Sequence, residues 1–195
     1  MNVNLPYRQE IYRKIIHLSS TCFALLLWYF GKDTVLPLFI CIAIIIPILD
    51  YARLHYVKLN RIFTLFGSIF TRTIEYRILT GASWVVIGVA LTTFLFNEKV
   101  TIIALLVLSI SDSIAAIVGI KYGKTKLLNK SLEGSFAFLI SASIIILSLS
   151  PSLFIVNILA IFAAVIIELF STPVLNDNLL IPVMTALVLT LGGVV

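Results

Sequence analysis

Apolar residues fall in long runs along this chain, separated by short polar clusters. Seven runs can be read, roughly 15–30, 35–49, 79–96, 100–118, 135–149, 153–170 and 179–195. Several are shorter than the ~20 residues that span a bilayer comfortably, and flanking polar residues snorkel to supply the missing length. The expected fold is all-α: one domain over residues 1–195, a polytopic bundle of about seven transmembrane helices.

Residues 51–78 interrupt this pattern. Leu54, Arg61, Ile62, Leu65, Phe66, Ile69 and Phe70 alternate with bases at near-helical spacing. This predicts one or two amphipathic helices lying in the interface, divided at Gly67-Ser68. Such an element serves either as a wall for a lipid substrate or as a plain surface connector. Asp50 with Arg53, and Arg72 with Glu75, are spaced to pair.

Composition agrees. Of 195 residues 61% are hydrophobic and 12% charged, and the mean hydropathy is +1.14. A soluble domain carries about twice that charged share. Cys22 and Cys41 stand singly in apolar runs, without zinc spacing, and are expected to pack as small apolar side chains. No cleavable signal peptide, lipidation motif or repeat is evident. The net charge of +5 has no basic stripe interleaved with aromatics, so no nucleic-acid partner is expected; the bilayer, anionic headgroups and anionic cosubstrates fit better.

The placement of charge changes the picture more. With a cytoplasmic N-terminus, all of the 14 basic residues except Lys32 and Lys99 fall on the cytoplasmic side. That bias sets the orientation. Of the nine acids, all except Asp33 and Glu98 fall on or just beneath the same face. Orientation does not explain them, because carboxylates contribute little to it. Acids and bases gathered on one face suggest a polar site open to the cytoplasm.

Asp112 is the first candidate, since an ionisable residue at membrane depth costs roughly 2.5–3.5 kcal/mol on insertion scales. Ser109, Asp112, Ala116 and Gly119 follow helical steps, and Lys121, Lys124, Lys126 and Lys130 come after them. Two readings stand: a metal ligand beside a polyphosphate site, or a helix-packing stripe followed by positive-inside lysines. Glu10, Arg13, Lys14 and His17 share one helix face. Arg13 and Lys14 can snorkel to headgroups; His17, inside the apolar run, is either a packing residue or a catalyst. Glu168 and Asp177 are candidate oxygen ligands for Mg²⁺, while Asn176, Asp177 and Asn178 also suit a helix N-cap. The stretch Gly119–Thr125, GIKYGKT, imitates a P-loop but has one residue too few between its glycines and follows a membrane helix; a soluble nucleotide-binding fold is excluded.

Taken in order, these pieces have a pattern. They are Glu10-x-x-Arg13-Lys14-x-x-His17, Asp50-x-x-Arg53, Glu75 with Leu79-Thr80-Gly81-Ala82, Ser111-Asp112-x-x-Ala115, Gly119-x-x-x-Gly123-Lys124, Lys130-Ser131-Leu132-Glu133-Gly134-Ser135, and Glu168 with Asp177-Asn178-Leu179-x-x-Pro182. The chain resembles the polyprenol kinase family of membrane enzymes, which includes dolichol kinase, phytol and farnesol kinases and the CTP-dependent diacylglycerol kinase. The central block also resembles phosphatidate cytidylyltransferase, the CDP-diacylglycerol synthase, but that family's C-terminal His-Gly-Gly and Asp-Arg signature is absent.

The resemblance implies transfer of the γ-phosphoryl group of CTP to a membrane lipid alcohol, with Mg²⁺. The charge bias places the site at the cytoplasmic face, and the compact length suggests a prokaryotic cell membrane. The resemblance implies catalytic roles for Asp112, Lys130, Glu133 and His17. It implies nucleotide or phosphate contacts at Arg13, Lys14, Gly119, Gly123, Lys124, Ser131 and Gly134. Metal ligands are expected among Asp112, Asp177 and Glu168, and the base for the alcohol proton among His17, Glu168 and Asp112. Cytidylyl transfer to phosphatidate is the alternative; a non-enzymatic transporter or scaffold, with its intramembrane acids forming an ion path, is the second.

Overall fold

A computed structural model describes residues 7–67, 75, 78–128, 130–172 and 176–194. Ser68, Ile69, Phe70, Arg72 and Arg77, with the predicted Arg72–Glu75 pair, lie outside the described residues, as does the side chain of Arg8.

Each predicted apolar run is helical, with shifted ends. The first run is two helices, α1 (Tyr7–Ser19) and α2 (Thr21–Phe30). Then come α3 (Lys32–His55), α4 (Val57–Gly67), α5 (Gly81–Leu95), α6 (Glu98–Leu106) and α7 (Asp112–Tyr122). A π turn, Val107–Ser111, joins α6 to α7 as one rod. After a two-residue antiparallel hairpin, β1 (Lys126–Leu127) with β2 (Lys130–Ser131), follow α8 (Leu132–Leu149), α9 (Phe154–Phe170) and α10 (Asp177–Leu191).

Among the described residues three helices are long and apolar enough to cross a bilayer: Lys32–His55, Glu98–Tyr122 and Leu132–Leu149. Gly81–Leu95, Phe154–Phe170 and Asp177–Leu191 are shorter apolar helices. The chain is an all-α membrane protein. α3, the helix of the second apolar run, extends past that run, so Asp50 and Arg53 are buried in it rather than placed in the connector. The amphipathic segment begins with α4, whose Val57, Ile62 and Leu65 are exposed together with Lys58 and Arg61.

Burial is arranged for lipid rather than water. α9 turns Ile155, Leu159, Phe162, Ile166 and Phe170 outward and buries Asn157, Ala160, Ala164 and Glu168. α8 exposes Leu132, Phe136, Ile140 and Ile144 in steps of four and buries Phe138, Ala142 and Ile146. Where the buried side chains are small, as Ala160 and Ala164 are on α9, helices approach closely although no water drives them together. Gly88 shows how close: a Cβ there would sit 2.5 Å from the Asn178 carbonyl oxygen of α10. One core joins the α6–α7 rod to α8, α9 and α10; a second joins α2, α3, α5 and α6.

Candidate functional site

Two irregularities bring α1 against the α6–α7 rod. The hydroxyls of Ser19 and Ser20 donate to the carbonyls of Ile16 and His17 at 2.6 Å each, and the helix is interrupted at Ser20. Serine hydroxyls that bond backwards compete with the helical ladder in this way. Opposite lies the π turn, a feature common at functional sites. His17 Nε2 lies 3.2 Å from the Leu108 carbonyl oxygen of that turn, and Thr21 Oγ1 donates to Ser109 Oγ at 2.9 Å.

Asp112 is 2% exposed and sits where these elements meet. Its Oδ2 pairs with the Lys14 ammonium and with His17 Nε2 at 3.2 Å. Both neighbours of that ring nitrogen are acceptors, so the network assigns a hydrogen to Nε2 and leaves Nδ1 as the basic atom of a neutral ring.

A second group lies beside the first. Lys130 Nζ is 3.1 Å from Asp177 Oδ2 and 3.3 Å from Glu168 Oε1, and Ser135 donates to Glu168 Oε2 at 3.0 Å. Burial acts to lower the pKa of Lys130, but Asp177, Asp112 and Glu168 outweigh it and raise it above the usual lysine range. Asp112 is thus close enough to act on Lys130. Residues from α1, α7, β2, α9 and α10 converge at one end of the bundle.

The remaining candidates have local partners. Arg13 makes a forked pair with Glu10, with Nε to Oε2 at 3.1 Å. Gly119, Gly123 and Gly134 line the α7–α8 crossing. A Cβ on Gly134 would sit 2.8 Å from the Ala115 carbonyl oxygen, and one on Gly119 2.8 Å from Ser131 Oγ. Ser131 caps α8, accepting from Gly134 N–H at 3.1 Å. The Ala115 carbonyl and Gly119 of α7 thus lie close against Gly134 and Ser131 at the start of α8. Glu133 accepts the Thr125 N–H at 3.1 Å and so ties down the loop, on which Lys124 and Lys126 are exposed. Asn176 is the N-cap of α10, with Asp177 its first helical residue.

The pairing of Asp50 with Arg53 is as the spacing predicts, Nε to Oδ1 at 2.5 Å. Sequence reasoning missed the rest of that cluster. Thr80 N–H, Thr80 Oγ1 and Ser83 Oγ donate to Asp50 Oδ2 at 2.6, 2.9 and 2.5 Å. The available signal was two hydroxyls three residues apart at the start of α5.

No protein-family model matches the chain, and no solved structure matches it. An uncharacterised protein of Rickettsia prowazekii is 34% identical over 180 residues, 87% of this chain and 88% of that protein. An uncharacterised protein of Methanocaldococcus jannaschii is 31% identical over 186 residues, 93% of each. The chain belongs to one family with these two proteins. It is also similar to CTP-dependent diacylglycerol kinase 1 of Saccharomyces cerevisiae, 35% identical over 136 residues, 67% of this chain and 47% of the kinase. The enzyme of the same name from Eremothecium gossypii is 30% identical over 136 residues, 67% of this chain and 43% of the kinase. The match thus spans less than half of either kinase, and it supports the resemblance to lipid kinases.

Proposed function

We propose that this chain is a membrane-embedded lipid kinase that transfers the γ-phosphoryl group of CTP to a lipid alcohol, diacylglycerol or a prenol such as phytol, farnesol or dolichol. The bundle crosses the membrane of a prokaryotic cell about seven times, with the N-terminus and the charged end in the cytoplasm. The observation that carries the reading is the convergence of Lys14, His17 and Asp112 with Lys130, Glu168 and Asp177. The similarity to two CTP-dependent diacylglycerol kinases supports the choice of nucleotide and acceptor.

Phosphoryl transfer needs positioning and neutralisation of charge more than covalent help. Lys130 and the exposed Lys124 neutralise the triphosphate, and Arg13 and Lys14 contact phosphate or headgroup. Gly119, Gly123, Ser131 and Gly134, where α7 and α8 meet, seat the loop that carries Lys124, braced by Glu133, beside the phosphates. The acceptor oxygen bonds to the γ-phosphorus, the bond to the β–γ bridging oxygen breaks, and CDP leaves. Of the three candidate bases His17 is favoured: Nδ1 takes the hydroxyl proton, and Asp112, held at Nε2, stabilises the imidazolium and orients the ring.

Among the described residues no group of three or more His, Cys, Asp or Glu side chains is arranged to hold a metal ion. Mg²⁺ seldom needs such a cage, because it keeps waters and binds one or two carboxylates together with substrate phosphates. The expected set of three ligands is thus not gathered into one cage, and the donor chemistry fits an ion carried in with the nucleotide: Asp112, whose two contacts both fall on Oδ2, would hold it together with one of Asp177 and Glu168. Bound there, Mg²⁺ would neutralise charge on the phosphates.

The test is incubation of purified protein with γ-labelled CTP, Mg²⁺ and candidate lipids. Label on diacylglycerol or a prenol is expected. Pyrophosphate release with phosphatidate would replace this reading by cytidylyl transfer. No turnover of either kind by folded protein would leave a transporter or scaffold.

A further inference from the structure

A cavity of about 420 Å³ lies between α1–α2 and α5, beneath α4. Its size is within the usual range for a small-molecule site. Its lining is graded. Arg13, His17, Glu75, Thr80 and Asn178 stand at one end, the end of the charged cluster. Away from it the walls turn apolar, through Ala82, Val85 and Val86 to Phe23; Phe63 of α4, which lies under Arg53, adds an aromatic face near the polar end.

The gradient has a length. From Arg13 to Phe23 is ten residues of nearly continuous helix, about 15 Å at 1.5 Å per residue. That is half the ~30 Å hydrocarbon thickness of a bilayer, the depth of one leaflet. The cavity is also open at the side. Ile16, Ser19 and Cys22 line it and are exposed on the outer surface of the bundle. Around that opening Tyr12, Ile15, Leu18 and Leu25 are exposed too, at 50%, 54%, 41% and 53%. A flank of large exposed apolar side chains on a membrane protein faces hydrocarbon, so the mouth opens into lipid rather than water. A nucleotide has no route in from that side.

We propose that this cavity binds a hydroxyl-bearing membrane lipid, which enters sideways past Ile16, Ser19 and Cys22, lays one hydrocarbon chain between α1–α2 and α5, and holds its hydroxyl at the His17 end. That the lipid is the phosphoryl acceptor rests on the kinase reading above; that the cavity is a lipid site does not. The break at Ser20 now has a purpose, since Ser19 and Ser20 both line the cavity where the helix is interrupted. The shared chemistry is a primary alcohol on an apolar chain. A prenol presents one such chain; diacylglycerol would place one chain inside and leave the other in the bilayer.

The native thiol at the mouth provides the test. The full chain with Cys41→Ala is reconstituted in phosphatidylcholine nanodiscs, so that Cys22 is the one remaining thiol, and its reaction rate with a membrane-permeant maleimide is measured. Diacylglycerol, farnesol and phytol are added in separate arms. At least one is expected to slow labelling several-fold, and the arm that does so identifies the source of the alcohol. No protection in any arm overturns the proposal.

A second variant, Val86→Trp, fills the apolar part of the cavity. Lipid phosphorylation is therefore expected to fall about tenfold or more, with CTP binding at the wild-type level. Full lipid phosphorylation by Val86→Trp overturns the cavity as the acceptor site and leaves the kinase reading standing. If the wild type phosphorylates no lipid yet Cys22 is protected, the kinase reading fails and the lipid site stands. If Val86→Trp does not fold, Cys22 protection alone decides.

Discussion

Asp50 and Asp112 are both buried carboxylates, 7% and 2% exposed, yet they are held in opposite ways. Asp50 is surrounded by donors with nowhere else to go: a backbone N–H, two hydroxyls and the Arg53 guanidinium. Arg53 is itself fixed, donating to the Glu75 and Ile78 carbonyls at 2.6 and 3.1 Å and lying 4.1 Å over the Phe63 ring. This cluster joins α3 to the start of α5. Asp112 instead meets the tips of two side chains from another helix, Lys14 and His17. An ammonium on a flexible stem can turn to a phosphate when one arrives, and a buried lysine can give up its charge; a fixed guanidinium does neither. A carboxylate satisfied by backbone and by Arg is part of the framework. One satisfied by exchangeable side chains is available for chemistry.

The contrast predicts opposite losses in the two centres. Asp112→Ala is expected to lower the rate of CTP-dependent lipid phosphorylation by about a thousandfold while expression and folding survive; wild-type rates in that variant would remove its proposed role. Asp50→Ala is expected to do the reverse, costing about 3–5 kcal/mol of stability because Arg53 is left buried without its counter-charge. Thermal unfolding of the two variants in one detergent, followed by size-exclusion, would show whether the order holds. A smaller effect is expected at the α7–α8 crossing, where Gly134→Ala forces a Cβ against the Ala115 carbonyl and should cost about 1–3 kcal/mol, read as a lowered unfolding temperature.

The smallest effect concerns pH. Lys130 is raised above its unfolded-state pKa by Asp177, Asp112 and Glu168, against the lowering effect of burial. Its contribution to stability is therefore full below the unfolded value and is lost only as pH rises through the higher folded one. Up to about pH 10, neither stability nor rate should show a limb that Lys130→Arg removes. A limb below that pH which disappears in Lys130→Arg would contradict the arrangement.

Much of this was legible in the order of residues. The apolar runs predict helices, and each is helical, because in hydrocarbon the backbone must satisfy its own hydrogen bonds. The Asp50–Arg53 pair follows from spacing on one helix. Asp112 stands out because charge at membrane depth is costly, whereas Lys130 and Asp177 lie outside the apolar runs and stand out through the family resemblance. The irregular features were not legible. The π turn at Val107–Ser111 carries no Gly or Pro to mark it, and the break at Ser20 depends on two hydroxyls that other helices tolerate. The extension of α3 past Leu49 to His55 depends on Thr80 and Ser83 being at hand to satisfy Asp50.

The chain by its composition and periodicity determined the solvent it folds in, the helices it forms and which end of each carries charge. These are local properties, set by a residue and its neighbours within a turn or two. Only the tertiary structure decided that Lys14 lies on Asp112 and Lys130 between Glu168 and Asp177, and that a graded cavity opens beside them. Such pairings join residues as many as 98 positions apart, and interhelical packing, which no single helix encodes, selects among the many that charge alone would allow.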